Sequence, residues 1–422
     1  MYLADKWEDY KLIDTCDGKK LESWGGYVLV RPDPQVIWKN CERSSLWKRA
    51  DASYMRSVKG GGAWKGKSNL PEEWNSQNTG RVTKGAAYAM LSRAMLYAER
   101  WDVVKTAAEE VEKLGYGLEE NYADSYSIAI GSGNNEAIIQ YQFDRANDVT
   151  HSFDFYYTPG GDFALHGETG GGYGTPTQEM VESYELATGG VPDWTAWHST
   201  TTKTPPYADL EPRFHATILY NGAEWKGRLI EPFVDGVDGW CQWNIDREPM
   251  GRTTTGYYLR KMVDEDHDVI AYSGGVQPLI IMRYAEVLLN KAEACYHLDE
   301  SADANAAVKK IRDRVDLPYT DKGGAALWDA IRQERKVELA FEGLWYWDLR
   351  RWGVAHKQYP EGLTGYQQHG LKIENNGDGS FTYTYVSVDD QDRNFPVKMY
   401  RFPMPSGELN NNALVEQYPE WK

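Results

Sequence analysis

Several charged side chains in the last third of the chain are of types that could do acid–base chemistry: Glu286, Glu293, Arg312, Arg314, Arg335, Glu338 and Glu342. Glycoside hydrolysis, for one, requires two carboxylates about 5–9.5 Å apart across a cleft. The spacing points elsewhere. Glu286 and Glu293 lie two turns apart on one predicted helix face. Arg335, Glu338 and Glu342 fall at three- and four-residue steps, which is a ladder of ion pairs. The sequence therefore predicts pairing between helices rather than catalysis.

A second set of residues suits recognition. Trp194 and Trp197 stand three apart in VPDWTAWH, Trp240 and Trp243 three apart in DGWCQWN, and Tyr156 and Tyr157 adjoin in FDFYYTPGGD. Such rings present a flat apolar face and a polar edge, which suits wet ligands. Asp154, Gln242 and Asn244 lie beside them as hydrogen-bonding groups that could orient hydroxyls. Trp345, Trp347 and Trp352 in LWYWDLRRW follow a predicted helix and read as core.

No cofactor or metal is predicted. The histidines are scattered without HExxH spacing, and no P-loop appears. The GGG runs at 60–62 and 170–172 lack the flanking strand and helix. Asn376-Gly377-Asp378-Gly379 lacks the terminal Glu of a calcium loop and reads as a hairpin turn. Cys16, Cys41, Cys241 and Cys295 match no zinc or CxxC pattern and leave the redox compartment open. Cys295 reads as a small core residue.

Composition narrows the partners. The chain has 422 residues, a formal net charge of −17, 17 Trp and 29 Tyr against 10 Phe. An acidic surface repels phosphate backbones, which disfavours nucleic acid. Charge is uneven: residues 1–79 carry 13 Lys/Arg and 11 Asp/Glu, whereas the remainder carries 33 and 52. That asymmetry suggests segments of different role. The opening residues, MYLADKWEDYKL, show no charged n-region, apolar stretch or cleavage site, so no export signal is predicted.

These residues must be positioned by elements. Residues 7–40 read as short strands, with turns at Asp17-Gly18 and Gly25-Gly26 and a strand at Tyr27–Val30. Ser57–Gly66 reads as a glycine-rich loop. Helices are predicted at Arg81–Ala98 and from Trp101 to Leu114-Gly115, together the size of one TPR unit. Residues 116–280 are loop-rich, with one strand at Glu136–Phe143. A second helix pair is predicted at Gln277–Leu298 and Ala302–Val315, and a further helix at Ala325–Glu342. A hairpin turns at Asn375–Gly379.

RYAEVLLNKAEA, AAVKKIRDRVDLP, IRQERKVELAFEGLWYWDLRRWG and YRFPMPSGEL occur in that order and resemble the C-terminal blocks of SusD/RagB proteins. GRVTKGAAYAMLSRAMLYAERW is similar to that family's TPR helix. The resemblance covers residues 79–422. It implies a mainly α fold in which TPR-like helix pairs support a loop-rich face. It also implies a surface lipoprotein of the outer membrane in Bacteroidetes-like bacteria. Such a protein binds glycan without cleaving it and partners a SusC-like TonB-dependent transporter in nutrient uptake. The family's export signal, lipidated cysteine and early helices find no counterpart here. Docking to the transporter is therefore expected to be impaired.

YKLIDTCDGKKLESWGGYVLVRPDPQVIW and LWKRADASYMRSVKGGGAW resemble instead the PUA-like N-terminal region of class I SAM-dependent methyltransferases. No glycine-rich turn that would hold SAM follows. The expected organisation is thus a small β-rich segment over residues 1–75, a foreign fusion, ahead of a SusD-like body over 79–422. Glycan is the expected ligand, held by Trp240, Trp243, Trp194, Trp197, Tyr156 and Tyr157. The alternatives are a nonfunctional chimera and a TPR scaffold for protein partners.

Overall fold

A computed structural model describes residues 10–39, 41, 43–56, 62–66, 82–129, 132–241, 253–363, 365 and 367–422. The chain divides into two compact units, Met1–Thr83 and Lys84–Lys422.

The first unit is a five-stranded sheet in the order β1-β2-β3-β4-β5. Its strands are β1 (Tyr10–Cys16), β2 (Lys19–Trp24), β3 (Tyr27–Pro32), β4 (Ala52–Arg56) and β5 (Gly62–Gly66). Both turns read from the sequence form as two-residue hairpins. Asp17 (φ 51°) and Gly18 (φ 72°) join the first pair, and Gly25 (φ 53°) and Gly26 (φ 86°) the second. Positive φ at both central residues matches the strand twist and selects Asp-Gly and Gly-Gly. β3 and β4 run parallel, whereas β4 and β5 are antiparallel. Residues 62–66, expected in a loop, are thus one of the two edge strands. Cys16 and Cys41 form a disulfide with Cα atoms 5.9 Å apart, a pairing their spacing did not reveal.

The second unit is mainly helical. Its scaffold helices are α1 (Lys84–Tyr97), α2 (Trp101–Glu112), α3 (Tyr284–His297), α4 (Ser301–Asp313) and α5 (Gly324–Glu338). Two shorter ones follow, α6 (Trp345–Arg351) and α7 (Ala355–Gln358). α1 buries Ala86, Ala89, Ser92 and Leu96, and small residues at this helical spacing admit its neighbours closely. Gly115 (φ 83°) takes the left-handed conformation just past α2, as a helix stop should. α1, α2 and α3 share one core, with Ala89, Ala108, Val111, Val287 and Leu288. α3, α4 and α5 share another, with Ala292, Cys295, Val308, Leu327 and Ile331.

The predicted helix at Gln277–Leu298 is corrected. Its first part is β7 (Leu279–Arg283), antiparallel to β6 (Ala137–Tyr141), and the helix begins only at Tyr284. The β-branched Ile280-Ile281 pair suits a strand, and a partner some 140 residues away in sequence supplies the ladder. The hairpin β8 (His369–Asn375) and β9 (Phe381–Ser387) forms where expected.

An ionic layer ties the loop-rich region to the helices. Arg213, on the short helix Pro212–Thr217, bonds Glu211 at 2.6 Å, Glu338 at 3.1 Å, and Glu334. Arg283 bonds Glu136, Glu338 and Glu342, each at 2.6 Å. Arg314 reaches both oxygens of Glu338. Burial pushes the Glu338 carboxyl up, but Arg314, Arg283 and Arg213 outweigh it and hold it well below the usual range. The expected ladder is corrected in one respect. Arg335 pairs with Asp348 and with Asn290, not with Glu338. Glu286 takes Arg93 of α1, and Glu293 takes Arg351 of α6. Among the described residues no helix is long and apolar enough to cross a membrane.

Candidate glycan-binding face

Residues 142–275 carry the rings singled out above, and the structure sorts them. The short helix Phe153–Tyr157 turns its two tyrosines different ways. Tyr157 stacks on Phe153 with centroids 4.1 Å apart and packs on the cluster of Leu219, Trp225 and Tyr258. Tyr156 is 44% exposed and meets the ring of Tyr173, 52% exposed, edge-on at 5.4 Å. Tyr173 was not singled out in the sequence.

The loop bearing Tyr173 is held by glycines. Gly172 N donates to Thr158 O at 2.9 Å, and Tyr173 N to Tyr156 O at 3.0 Å. Gly171 (φ 69°) lies so close that a Cβ there would fall 2.2 Å from Thr158 O, and one on Gly174 would fall 2.3 Å from the Tyr157 ring. The GGGYG run therefore clamps one exposed ring beside another.

The tryptophans fare differently. Trp194 is only 4% exposed, meets Trp197 edge-on, and shares a core with Tyr184, Tyr207, Phe214 and Tyr257. Its faces are spent on packing, which corrects the expectation of a ligand platform. Trp197 is half-buried, and its indole donates to Lys203 O at 2.9 Å. Trp240 is half-buried beyond the buried Asp238. Asp238 accepts from Arg228 at 2.7 and 2.8 Å, and from Gly161 N and Glu231 N. Trp243, Gln242 and Asn244 lie outside the described residues. Asp154 is fully buried and bonds His267 at 2.8 Å and Asp264 N at 3.1 Å, so it orients loops rather than ligand.

Further rings cluster in the same region of the chain. Tyr141, Phe143, His151, Phe153 and Tyr157 follow one another tilted, edge to face or stacked, at centroid separations from 4.1 to 6.5 Å. Tyr272 is exposed under the guanidinium of Arg145, 4.3 Å from its centroid. The tryptophans read as core are also sorted: Trp345 and Trp352 are half-buried, whereas Trp347 is 41% exposed. One acidic cluster, Cys295, Glu300 and Asp303, has metal-ligand atom types within reach of one another. The ammonium of Lys105 already bonds Glu300 at 2.5 Å and Asp303 at 3.4 Å, which fills the cation's place.

The signature of the SusD family matches residues 135–421. The chain belongs to the SusD family. It is 37% identical over 87 residues to the SusD-like protein P38 of Formosa agariphila, and 38% identical over 96 residues to its SusD-like protein P2. Those stretches span 18% and 20% of this chain but only 17% and 19% of the relatives. The fold is that of a SusD-like protein from Bacteroides fragilis, at a TM-score of 0.67 and 26% identity over 83% of this chain and 68% of that one. A SusD-like carbohydrate binding protein from the same species aligns at 0.63 and 22% identity, over 81% and 66%. Neither of these relatives nor the family match lends support to the methyltransferase resemblance of the N-terminal segment.

Proposed function

We propose that this protein binds glycan through the face built by Tyr156 and Tyr173 and does not cleave it. The observation that carries the reading is the pair of exposed rings, Tyr156 on a short helix and Tyr173 on a glycine-pinned loop, set edge-on at 5.4 Å. Two rings at an angle offer apolar faces to successive C–H surfaces of a sugar chain, and their hydroxyls offer hydrogen bonds. A platform fixed before the ligand arrives loses little entropy on binding. SusD family membership supports the reading, as does the similar fold of a carbohydrate binding protein from Bacteroides fragilis. The charged residues that could suggest hydrolysis are committed to arginines in the buried layer.

The proposed setting is the cell surface at the outer membrane, where the bound glycan passes to a SusC-like TonB-dependent transporter. Oxidising conditions outside the cytoplasm suit the Cys16–Cys41 disulfide. The test is affinity electrophoresis through gels containing a panel of neutral polysaccharides, with calorimetry on any oligosaccharide that retards the protein. Tyr156→Ala and Tyr173→Ala should each remove about 0.5–1.5 kcal/mol of contact, roughly two- to tenfold in Kd. Unchanged retention of the double variant refutes the site. Chromatography of recovered oligosaccharide should show no shortened product. Co-purification with a transporter tests the partnership.

A further inference from the structure

A groove of about 460 Å³ lies outside the face just described, between α5 and α6–α7. One wall is a stripe of α5 that repeats each turn: Asp329, Arg332, Gln333 and Lys336. The other includes Trp345 and Trp352 of α6 and the residue after it, with Lys357 of α7 at the rim. The volume falls within the range of small-ligand sites, about 300–1,000 Å³.

Its charge runs against that of the chain. The whole protein carries −17, yet the groove presents Arg332, Lys336 and Lys357 against one carboxylate. That carboxylate, Asp329, is committed to Arg332 at 2.5 Å. The Arg332 Nε remains buried with no hydrogen-bond partner among the described residues. Lys336 is the sharper case. Its ammonium stands 5.6 Å over the ring of Trp345, and no hydrogen bond or ion pair engages it among the described residues. Glu179 acts on it only through space, because that carboxylate bonds His369 at 2.6 Å. Burial lowers the Lys336 pKa, the sign of a cation short of acceptors. Trp352 spends its indole N–H on Glu293 at 3.0 Å, whereas that of Trp345 has no partner among the described residues.

An under-solvated ammonium beside an aromatic ring with a free N–H asks for a ligand that is apolar on one side and anionic on the other. We propose that this groove binds a sugar bearing a carboxylate or sulfate, with Lys336 pairing the anionic group and Trp345 packing against the ring. With Asp329 paired to Arg332, the remaining charges of the cleft, Lys336 and Lys357, are of one sign and focus the field on such a ligand. The choice of a sugar rests on the glycan-binding reading, while the anionic preference rests on the groove alone.

The experiment titrates full-length protein with oligogalacturonate, with a sulfated dextran oligosaccharide and with neutral dextran, at low salt. The two anionic probes distinguish carboxylate from sulfate recognition. Lys336→Met keeps the side-chain volume and is expected to fold; circular dichroism checks this. It should lower affinity for the favoured anionic probe at least tenfold and leave binding of neutral glycan unchanged, while Lys336→Arg retains most of the affinity. Tyr156→Ala/Tyr173→Ala protein should bind the anionic probe as before, so loss of the exposed-ring face and loss of the groove read out separately. Equal affinity of the wild type and Lys336→Met for both anionic probes overturns the proposal, as does failure of the wild type to bind either. Equal competition by inorganic sulfate would also overturn it, because the sugar would then contribute nothing.

Discussion

Glu338 is the residue on which the ionic layer most depends, and replacing it by glutamine tests how the scaffold is held. The carboxylate is fully buried and accepts from Arg283 at 2.6 Å, from Arg314 at 2.5 and 2.6 Å, and from Arg213 at 3.1 Å. Glutamine keeps the shape and removes the charge. Arg283 would keep Glu136 and Glu342, and Arg213 would keep Glu211 and Glu334. Arg314 would keep only Glu136, at 3.2 Å. Leaving a buried charge uncompensated costs about 3–5 kcal/mol; because Arg314 keeps one long contact, Glu338→Gln should lose about 3 kcal/mol, the lower end, in urea unfolding at neutral pH. Adding Arg314→Met to Glu338→Gln should recover part of the loss, because the stranded cation goes with it; a double-mutant cycle measures the coupling. The pH dependence follows. Glu338 titrates lower in the folded protein than in the unfolded chain, where the value is about 4.3. Its stabilisation is complete above that value and is lost as pH falls through the folded pKa. The acid limb of the wild-type curve should therefore be steeper than that of Glu338→Gln. A loss below about 1 kcal/mol, with parallel acid limbs, would refute the claim that this carboxylate organises the layer.

Three further outcomes follow from the same geometry. Lys261 is fully buried among Tyr122 OH, Ala340 O and Glu342, and burial pulls its pKa down to about 8; as pH rises from 8 towards 10.5 the unfolded chain holds the extra proton, so wild-type stability should rise relative to Lys261→Met by up to ~3 kcal/mol in urea titrations. Reducing the Cys16–Cys41 bridge, which joins residues 25 apart, should cost the first unit about 3.5 kcal/mol by chain entropy, read as faster amide exchange across β1–β3. Gly171→Ala must adopt positive φ with its Cβ against Thr158 O; it should cost about 1–2 kcal/mol and weaken glycan retention although it removes no contacting ring.

Local chemistry made parts of the molecule legible. Asp17-Gly18 and Gly25-Gly26 announced their hairpins because positive φ at both positions is a property of those two residues. The helices α1 and α3 were expected from their place in TPR-sized helix pairs, though the start of α3 was set too early. Pairings across long sequence distance were hidden. Ile280 lies in a strand because Gln140 faces it; the β-branched Ile280-Ile281 pair was the one local hint, too short to separate the run from the helix that follows. The Glu338 network is assembled from residues as remote as Arg213, so the sequence showed the charges and misassigned one pairing. At the site, composition favoured tryptophan, yet Trp194 went to the core while Tyr173 took the surface. Side-chain size argues for burial as readily as for binding. The available signal for Tyr173 was its setting in GGGYG, where a ring sits amid residues that let backbone approach closely.

The buried layer and the exposed rings belong to one design. A loop region of little regular structure can hold a binding face only if its backbone has few alternatives. Here Arg213 fastens the segment around Pro212–Thr217 to α5. Asp238 fastens Gly161 and Arg228, and Asp154 fastens His267. Each acid is buried and would be costly to leave unpaired, so each tie admits one arrangement. Apolar contacts alone would tolerate sliding, because they lack direction. Directional ion pairs within the loop region, and glycines where backbone must touch backbone, hold its chain while Tyr156 and Tyr173 stay exposed. Exposed rings cost the fold something, and holding two of them 5.4 Å apart by such means is what the proposed glycan-binding role requires of this region.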